Sequence, residues 1–168
     1  PLQIRNQIIN IRAETVVEKF KLRNSLNLSR CLVAATGYYE WQRYGNETVP
    51  FYFRLKSGEV FALAGFCNRY QSTDGRIMRG FTIVTTEAND LVRQVHRRMP
   101  VILSREDEQQ WIELEIKESK KLEMILRSFP DNLMEAYRVS AKVNYTNNDS
   151  PDLINPVERA EAIRLPGF

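Results

Sequence analysis

Imidazole is almost absent from this chain: His96 is the only histidine among 168 residues. Any metal or catalytic site that needs two histidines is thereby excluded. Thiols are scarce as well. Cys31 and Cys67 are the only cysteines, they sit in the apolar runs RCLVA and AGFCN, and neither belongs to a C-x-x-C or Cys/His spacing. Neither a disulfide framework nor a zinc site is indicated, and both residues read as buried thiols in a reducing compartment. No apolar run reaches the ~18 residues of a membrane-spanning helix and no signal-peptide pattern opens the chain, so it reads as cytosolic. An initiator methionine is missing too. Residue 1 is proline, so the chain is expected to have been processed, trimmed or excerpted at its start.

What is present is the composition of one ordinary folded domain. Hydrophobic residues make up 43% and charged residues 27%, which excludes a disordered or fibrous chain. There is no internal repeat, no low-complexity segment and no Pro/Gly/Ser-rich linker. The formal charge of +3 is only a mild hint of an anionic partner. Its distribution says more: arginines recur at positions 5, 12, 23, 30, 93, 97 and 98, while seven of the 21 acidic residues fall between 106 and 123.

The first two-thirds reads as β-rich. RCLVAATGYYEW (30–41) is a strand with a glycine break, followed by the turn RYGNET. VPFYFRL (49–55) and EVFALAGFCNRY (59–70) are expected to form a hairpin through KSG, and QSTDGR leads to a third strand of the meander, MRGFTIVTT (78–86). Helices should cover this sheet. EANDLVRQVHRR has apolar Leu91, Val92 and Val95 at helical spacing, with Thr86 as its N-cap, Pro100 ending it and His96 in its last turn. SREDEQQWIEL opens with Ser104 three residues before Asp107, a capping-box-like start, and KESKKLEMILRSF carries Leu122, Ile125, Leu126 and Phe129 on one stripe. MEAYRVS (134–140) is a last strand, followed by the loop NYTNNDSPDL and a tail. The class is α+β with a dominant antiparallel sheet.

Each candidate for chemistry has a plain structural reading beside it. His96, alone in QVHRRMP, is either a working acid or base or a helix-end residue. Glu40, between aromatics in GYYEW, suits proton transfer, or is the outward residue of an alternating strand. In NIRAET, Asn10, Arg12 and Glu14 share one face if the segment is extended, and an amide beside a guanidinium can hold a phosphate and its neighbouring oxygen. Arg12 and Glu14 could equally neutralise each other. Tyr38, Tyr39, Trp41, Phe51, Tyr52 and Phe53 could stack the bases of a single strand or form core. Cys31 lacks a histidine partner and reads poorly as a nucleophile.

The order of these segments is more specific than any one of them. NIRAET, RCLVAATGYYEW, FTIVTTEANDLVRQVHRRMPVIL and SAKVNYTNNDSPDLINPV, from Ile8 to Val157, resemble the SRAP (SOS response-associated peptidase) family. Its pattern reads N-A-R-A-E-T, R-C-L-x-P-A-x-G-x-Y/F-E-W and H-x-R-M-P-V-I-L. Here Ile11 replaces an alanine, and Ala34 or Ala35 stands where a proline is common. The resemblance implies an antiparallel β-rich pseudo-barrel with flanking helices over residues 1–157, with 158–168 as a tail. It implies a sensor of abasic sites in single-stranded DNA that makes a covalent DNA–protein crosslink and processes its own N-terminus, in a bacterial cytosol, as a monomer without metal or other cofactor. In the family an N-terminal cysteine forms a Schiff base with the ring-opened sugar through its amine and closes a thiazolidine through its thiol. That Cys-Gly-Arg start lies upstream of NIRAET and is not in this sequence. By resemblance Asn10 positions the amine and sugar, Glu40 handles protons, His96 acts on the sugar ring oxygen, and Arg12, Thr85 and Arg98 meet the DNA backbone. A non-catalytic single-strand-binding module and a conventional cysteine peptidase are the alternatives.

Overall fold

The computed structural model describes residues 9–21, 29–71, 74–113 and 119–157. The elements are β1 (Asn10–Arg12), α1 (Ala13–Lys21), β2 (Ser29–Ala35), β3 (Tyr38–Tyr44), β4 (Glu47–Leu55), β5 (Phe61–Gln71), β6 (Ile77–Glu87), α2 (Asp90–Arg93), β7 (Arg98–Pro100), β8 (Ile102–Leu103), α3 (Arg105–Ile112), α4 (Ser119–Ile125) and β9 (Met134–Arg138). They build a sheet-dominated α+β fold of two sheets, as the sequence indicates. One runs β1-β6-β5-β2 and the other β3-β4-β9, and the described strands do not close into a barrel. Pairing is antiparallel except at β1, which lies parallel to β6 with Asn10 opposite Ile83 and Arg12 opposite Thr85.

Alternation along the strands sorts two cores. Ala64 and Phe66 of β5 and Val84 of β6 face α1, α3 and α4, joining Val16, Trp111, Leu122, Ile125 and Leu126 in a helix-side core. Phe61, Leu63 and Ile83 face the other way and pack with Phe53, Val92, Met99 and Met134 between the two sheets. Trp111 is fully buried; its indole N–H donates to the Cys31 carbonyl at 3.1 Å, and the ring meets Phe66 edge-on at 5.4 Å.

The segment that carries the site fills a split. β5 and β6 pair from Gln71–Ile77 to Gly65–Ile83 and then part. Arg98–Leu103 enters the gap: β7 pairs β6, β8 pairs β5, and Val101 between them donates to the Val84 carbonyl at 2.9 Å and accepts from the Ala64 amide at 3.0 Å.

Several sequence expectations are corrected. KSG does not close a hairpin: β4 has both edges occupied by β3 and β9, so β5 pairs instead with β6 and β2. The meander through 49–86 is therefore two strands of one sheet following one of the other. The helix expected over EANDLVRQVHRR is only Asp90–Arg93; Asn89 caps it, accepting from the Val92 amide at 2.9 Å, and Thr86 belongs to β6. β-pairing of Arg98–Pro100 outcompetes further helical turns, so His96 lies beyond the helix rather than in its last turn. Cys67 is exposed and Cys31 only half-buried: Cys67 stands opposite Phe81, itself exposed, on an open stretch of the β5–β6 face. Phe129 lies past α4 and packs in the inter-sheet core, away from Leu122 and Ile125. The expected box at α3 is present, with Ser104 Oγ accepting from the Asp107 amide at 3.1 Å. The expected tail, 158–168, lies outside the described residues.

The glycine break between β2 and β3 is where the chain changes sheets. A Cβ on Gly37 would overlap the Tyr52 ring and stand 2.6 Å from the Phe53 carbonyl oxygen, which cannot swing aside. Gly37→Ala is therefore expected to lower unfolding free energy by ~1–3 kcal/mol, measured by urea denaturation. An unchanged midpoint would show that the crossover is not this tightly packed.

Candidate functional site

Two-residue periodicity on β3 turns Tyr38 and Glu40 toward the space between the sheets, opposite Phe53 and Phe51, and leaves Tyr39 and Trp41 on the outer face. Trp41 there donates to Asn144 at 2.7 Å, and the Tyr137 hydroxyl donates to the Ile154 carbonyl at 2.9 Å, so residues 141–157 cover that face. Of the aromatics, Tyr38, Phe51 and Phe53 are core residues, as the plainer reading had it. Tyr39, Tyr52 and Tyr137 form a tilted row on the other face of that sheet, with ring centroids 5.3 and 5.8 Å apart, and Tyr52 is buried there.

Across from Glu40 stands His96. Glu40 Oε2 is 3.5 Å from His96 Nδ1, with the glutamate side chain 24% exposed and the imidazole 45%. Glu40 Oε1 also accepts from the Trp41 amide at 3.2 Å. His96 Nδ1 lies 3.0 Å from the Arg98 carbonyl oxygen and 3.2 Å from the Arg98 amide nitrogen. In either tautomer Nδ1 is therefore occupied by Glu40 and the Arg98 backbone, and Nε2 is the nitrogen left for a ligand. The turn bearing His96 is fastened to β3 by Gln42, whose Nε2 donates to the Gln94 carbonyl at 2.7 Å.

Arg98 extends the network. Its Nη1 donates to Glu14 Oε1 at 2.7 Å and its Nη2 to Glu14 Oε2 at 3.0 Å, a bidentate pair, while Nη2 also donates to the Thr85 carbonyl at 2.6 Å. Thr85 Oγ1 donates in turn to the Ile11 carbonyl at 3.5 Å. The Arg98 hydrogen bond, more than Arg98's or Arg12's charge, holds the Glu14 carboxyl below its ordinary range despite some burial. Glu14 does not share an extended face with Asn10 and Arg12, since Ala13 already begins α1, and its ion-pair partner is Arg98. Asn10 and Arg12 lie on the exposed side of β1, opposite the row that sends Ile11 into the helix-side core.

Glu40, His96, Arg98 and Thr85 are thus linked through contacts of 2.6–3.5 Å; Arg12 stands opposite Thr85 in strand register, and Asn10 opposite Ile83 two residues earlier. Sequence reasoning missed Gln42 as a brace and Tyr38 as a neighbour of Glu40, although period two places both on its face. The Tyr38 hydroxyl is buried and has no hydrogen-bond partner among the described residues. Burial first, then the Glu40 charge, push its phenol upward, so it stays protonated. Cys31 is a poor nucleophile: burial, then Cys67, push its thiol up to about 12. Among the described residues no group of three or more His, Cys, Asp or Glu side chains could hold a metal ion.

This fold of two facing sheets has solved counterparts. A crystal structure of a protein from Bacteroides thetaiotaomicron matches with a TM-score of 0.77 at 28% identity, over 94% of this chain and 73% of that one. One from Bordetella bronchiseptica matches with a TM-score of 0.66 at 25% identity, over 81% and 67%. Residues 1–146 match the SOS response associated peptidase (SRAP) family, and the chain belongs to it. It is 39% identical over 153 residues to the abasic site processing protein YoqW of Bacillus subtilis, covering 90% of this chain and 68% of that protein. The abasic site processing protein YedK of Escherichia coli is 28% identical, over 89% of this chain and 68% of its own length. The abasic site processing protein HMCES of Gallus gallus is 24% identical, over 94% and 53%.

The Glu14–Arg98 pair sets a pH dependence whose sign is fixed. A depressed carboxyl contributes stability above the unfolded glutamate value of about 4.3 and loses it as pH falls through the lower folded value. Wild type is expected to melt above Glu14→Gln at pH 7, with the gap closing below about pH 4. A gap independent of pH in thermal melts would refute the ion pair as its source.

Proposed function

We propose that this protein processes abasic sites in single-stranded DNA by the route its family resemblance implies, a covalent crosslink to the ring-opened sugar. The observation that carries the reading is the Glu40–His96 pair, 3.5 Å apart at the mouth of the two sheets, with Arg12, Thr85 and Arg98 alongside. An aldehyde in equilibrium with its closed hemiacetal needs a proton donor at the ring oxygen and a proton acceptor at the attacking amine. His96, through Nε2, is the donor to the ring oxygen. Glu40 is the carboxylate that takes the proton as amine and aldehyde condense with loss of water. Asn10 orients the amine and sugar, and Arg12, Thr85 and Arg98 line the path of the phosphates.

The nucleophile in this reading is the N-terminal cysteine of the Cys-Gly-Arg segment that precedes NIRAET in the family. Its amine forms the Schiff base and its thiol adds across the C=N bond to close a thiazolidine. Glu40 also serves removal of the residue that precedes this cysteine, which is the peptidase activity. A conventional cysteine peptidase is disfavoured by the raised Cys31 thiol.

The test uses a form carrying the Cys-Gly-Arg start, mixed with an oligonucleotide holding one abasic site and resolved on a denaturing gel without reductant. A heat-stable adduct is expected, and its absence would sink the crosslinking reading in favour of a binding-only module. Glu40→Gln and His96→Ala should each slow adduct formation by ~10²–10⁴. Variants as fast as wild type would overturn the role assignments.

A further inference from the structure

Both terminal nitrogens of Arg98 are already engaged within the protein. Nη1 and Nη2 meet the two oxygens of Glu14 at 2.7 and 3.0 Å, Nη2 meets the Thr85 carbonyl at 2.6 Å, and Nε is buried without a partner among the described residues. Two parallel N–H donors facing two oxygens of one anion is the geometry in which a guanidinium takes a phosphate. Glu14 sits on the solvent side of this fork: its side chain is 56% exposed and that of Arg98 only 20%. An incoming anion therefore reaches the carboxylate first. A phosphate cannot use the fork until Glu14 leaves it.

We infer that Glu14 is a built-in stand-in for a backbone phosphate, filling the Arg98 fork in the free protein and giving way to a DNA phosphate on binding. This rests on the DNA-binding reading above and deepens it. A carboxylate and a phosphodiester each bring one negative charge and two free oxygens, so the exchange leaves Arg98 with an equivalent partner. Contact at Arg98 then adds little net affinity, leaving the other phosphate contacts and the reacting sugar to hold the strand. Glu14 acts as a specificity residue that weakens binding to undamaged strand. It also keeps the guanidinium oriented before DNA arrives.

The experiment titrates the chain with undamaged, dye-labelled oligothymidine by fluorescence anisotropy at several salt concentrations. Glu14→Gln keeps the shape and removes the charge, while Glu18→Gln, one turn along α1 at another exposed position, controls for net charge. Glu14→Gln is expected to lower Kd about fivefold to tenfold and to steepen the slope of log affinity against log salt by about 0.7. Glu18→Gln should change Kd less than about twofold, being a screened surface charge. In an Arg98→Ala background the gain from Glu14→Gln should vanish, since the two act through one contact. A Glu14→Gln gain no larger than that of Glu18→Gln, or one that persists without Arg98, overturns the inference while leaving DNA binding intact. If no variant, wild type included, binds the oligonucleotide, the DNA-binding reading fails and the inference with it.

Discussion

Where β5 and β6 part, the backbone groups on their facing edges lose each other and must find partners. Buried amides and carbonyls left unpaired cost on the order of 1–3 kcal/mol each. Arg98–Leu103 supplies those partners, one short strand to each side, with Val101 bonded to both. That repair fixes the rest of the site. It ends the α2 helix early, turns the chain so that His96 faces Glu40 and delivers the Arg98 side chain to Thr85 and Glu14. Met99, Val101 and Ile102 are buried there, in the inter-sheet and helix-side cores, so the segment is anchored by packing as well as by hydrogen bonds.

The second sheet contributes the other wall. β3 carries Glu40 inward because Tyr38 stacks on Phe53 at 5.2 Å and Phe51 backs the glutamate from the next strand. Gly37 lets the chain cross from one sheet to the other over Tyr52, and Gln42 ties β3 to the His96 turn. Glu40 and His96 are thus held from opposite sides by elements far apart in sequence. A rigid frame of this kind suits proton transfer, since both groups are placed before a ligand enters.

Much of the fold was legible from residue pattern alone: the strand runs, the Ser104 cap, the Leu122–Ile125–Leu126 stripe and the α+β class all rest on local periodicity. The pairing of strands was not, because KSG looks the same whether its flanks pair with each other or with distant partners. The helix expected over 87–98 shrank to Asp90–Arg93 for a related reason, as a gap in a distant sheet claimed Arg98–Pro100. Of the proposed site residues, Asn10, Arg12, Glu40 and His96 were ambiguous by pattern, and Thr85 and Arg98 came only with the family resemblance, which rests on the order of the segments along the chain. Glu14 shows the limit best. Beside Arg12 in NIRAET it reads as that residue's neutraliser, yet its carboxylate crosses to Arg98, 84 residues away, because β1 ends and α1 begins between Arg12 and Ala13.

Because His96 is the only histidine in the sequence, its imidazole gives a single, unambiguous set of ring resonances. The direct measurement is an NMR titration of that ring with single-stranded DNA carrying a stable abasic analogue, and with the same strand undamaged. The account expects the Nε2 side of the ring to shift on adding the abasic strand while the Nδ1 signal, held by Glu40 and the Arg98 backbone, moves little. Undamaged strand at equal saturation should perturb the ring far less. Identical ring spectra with and without saturating abasic strand would contradict the claim that the Glu40–His96 pair is where the lesion is handled.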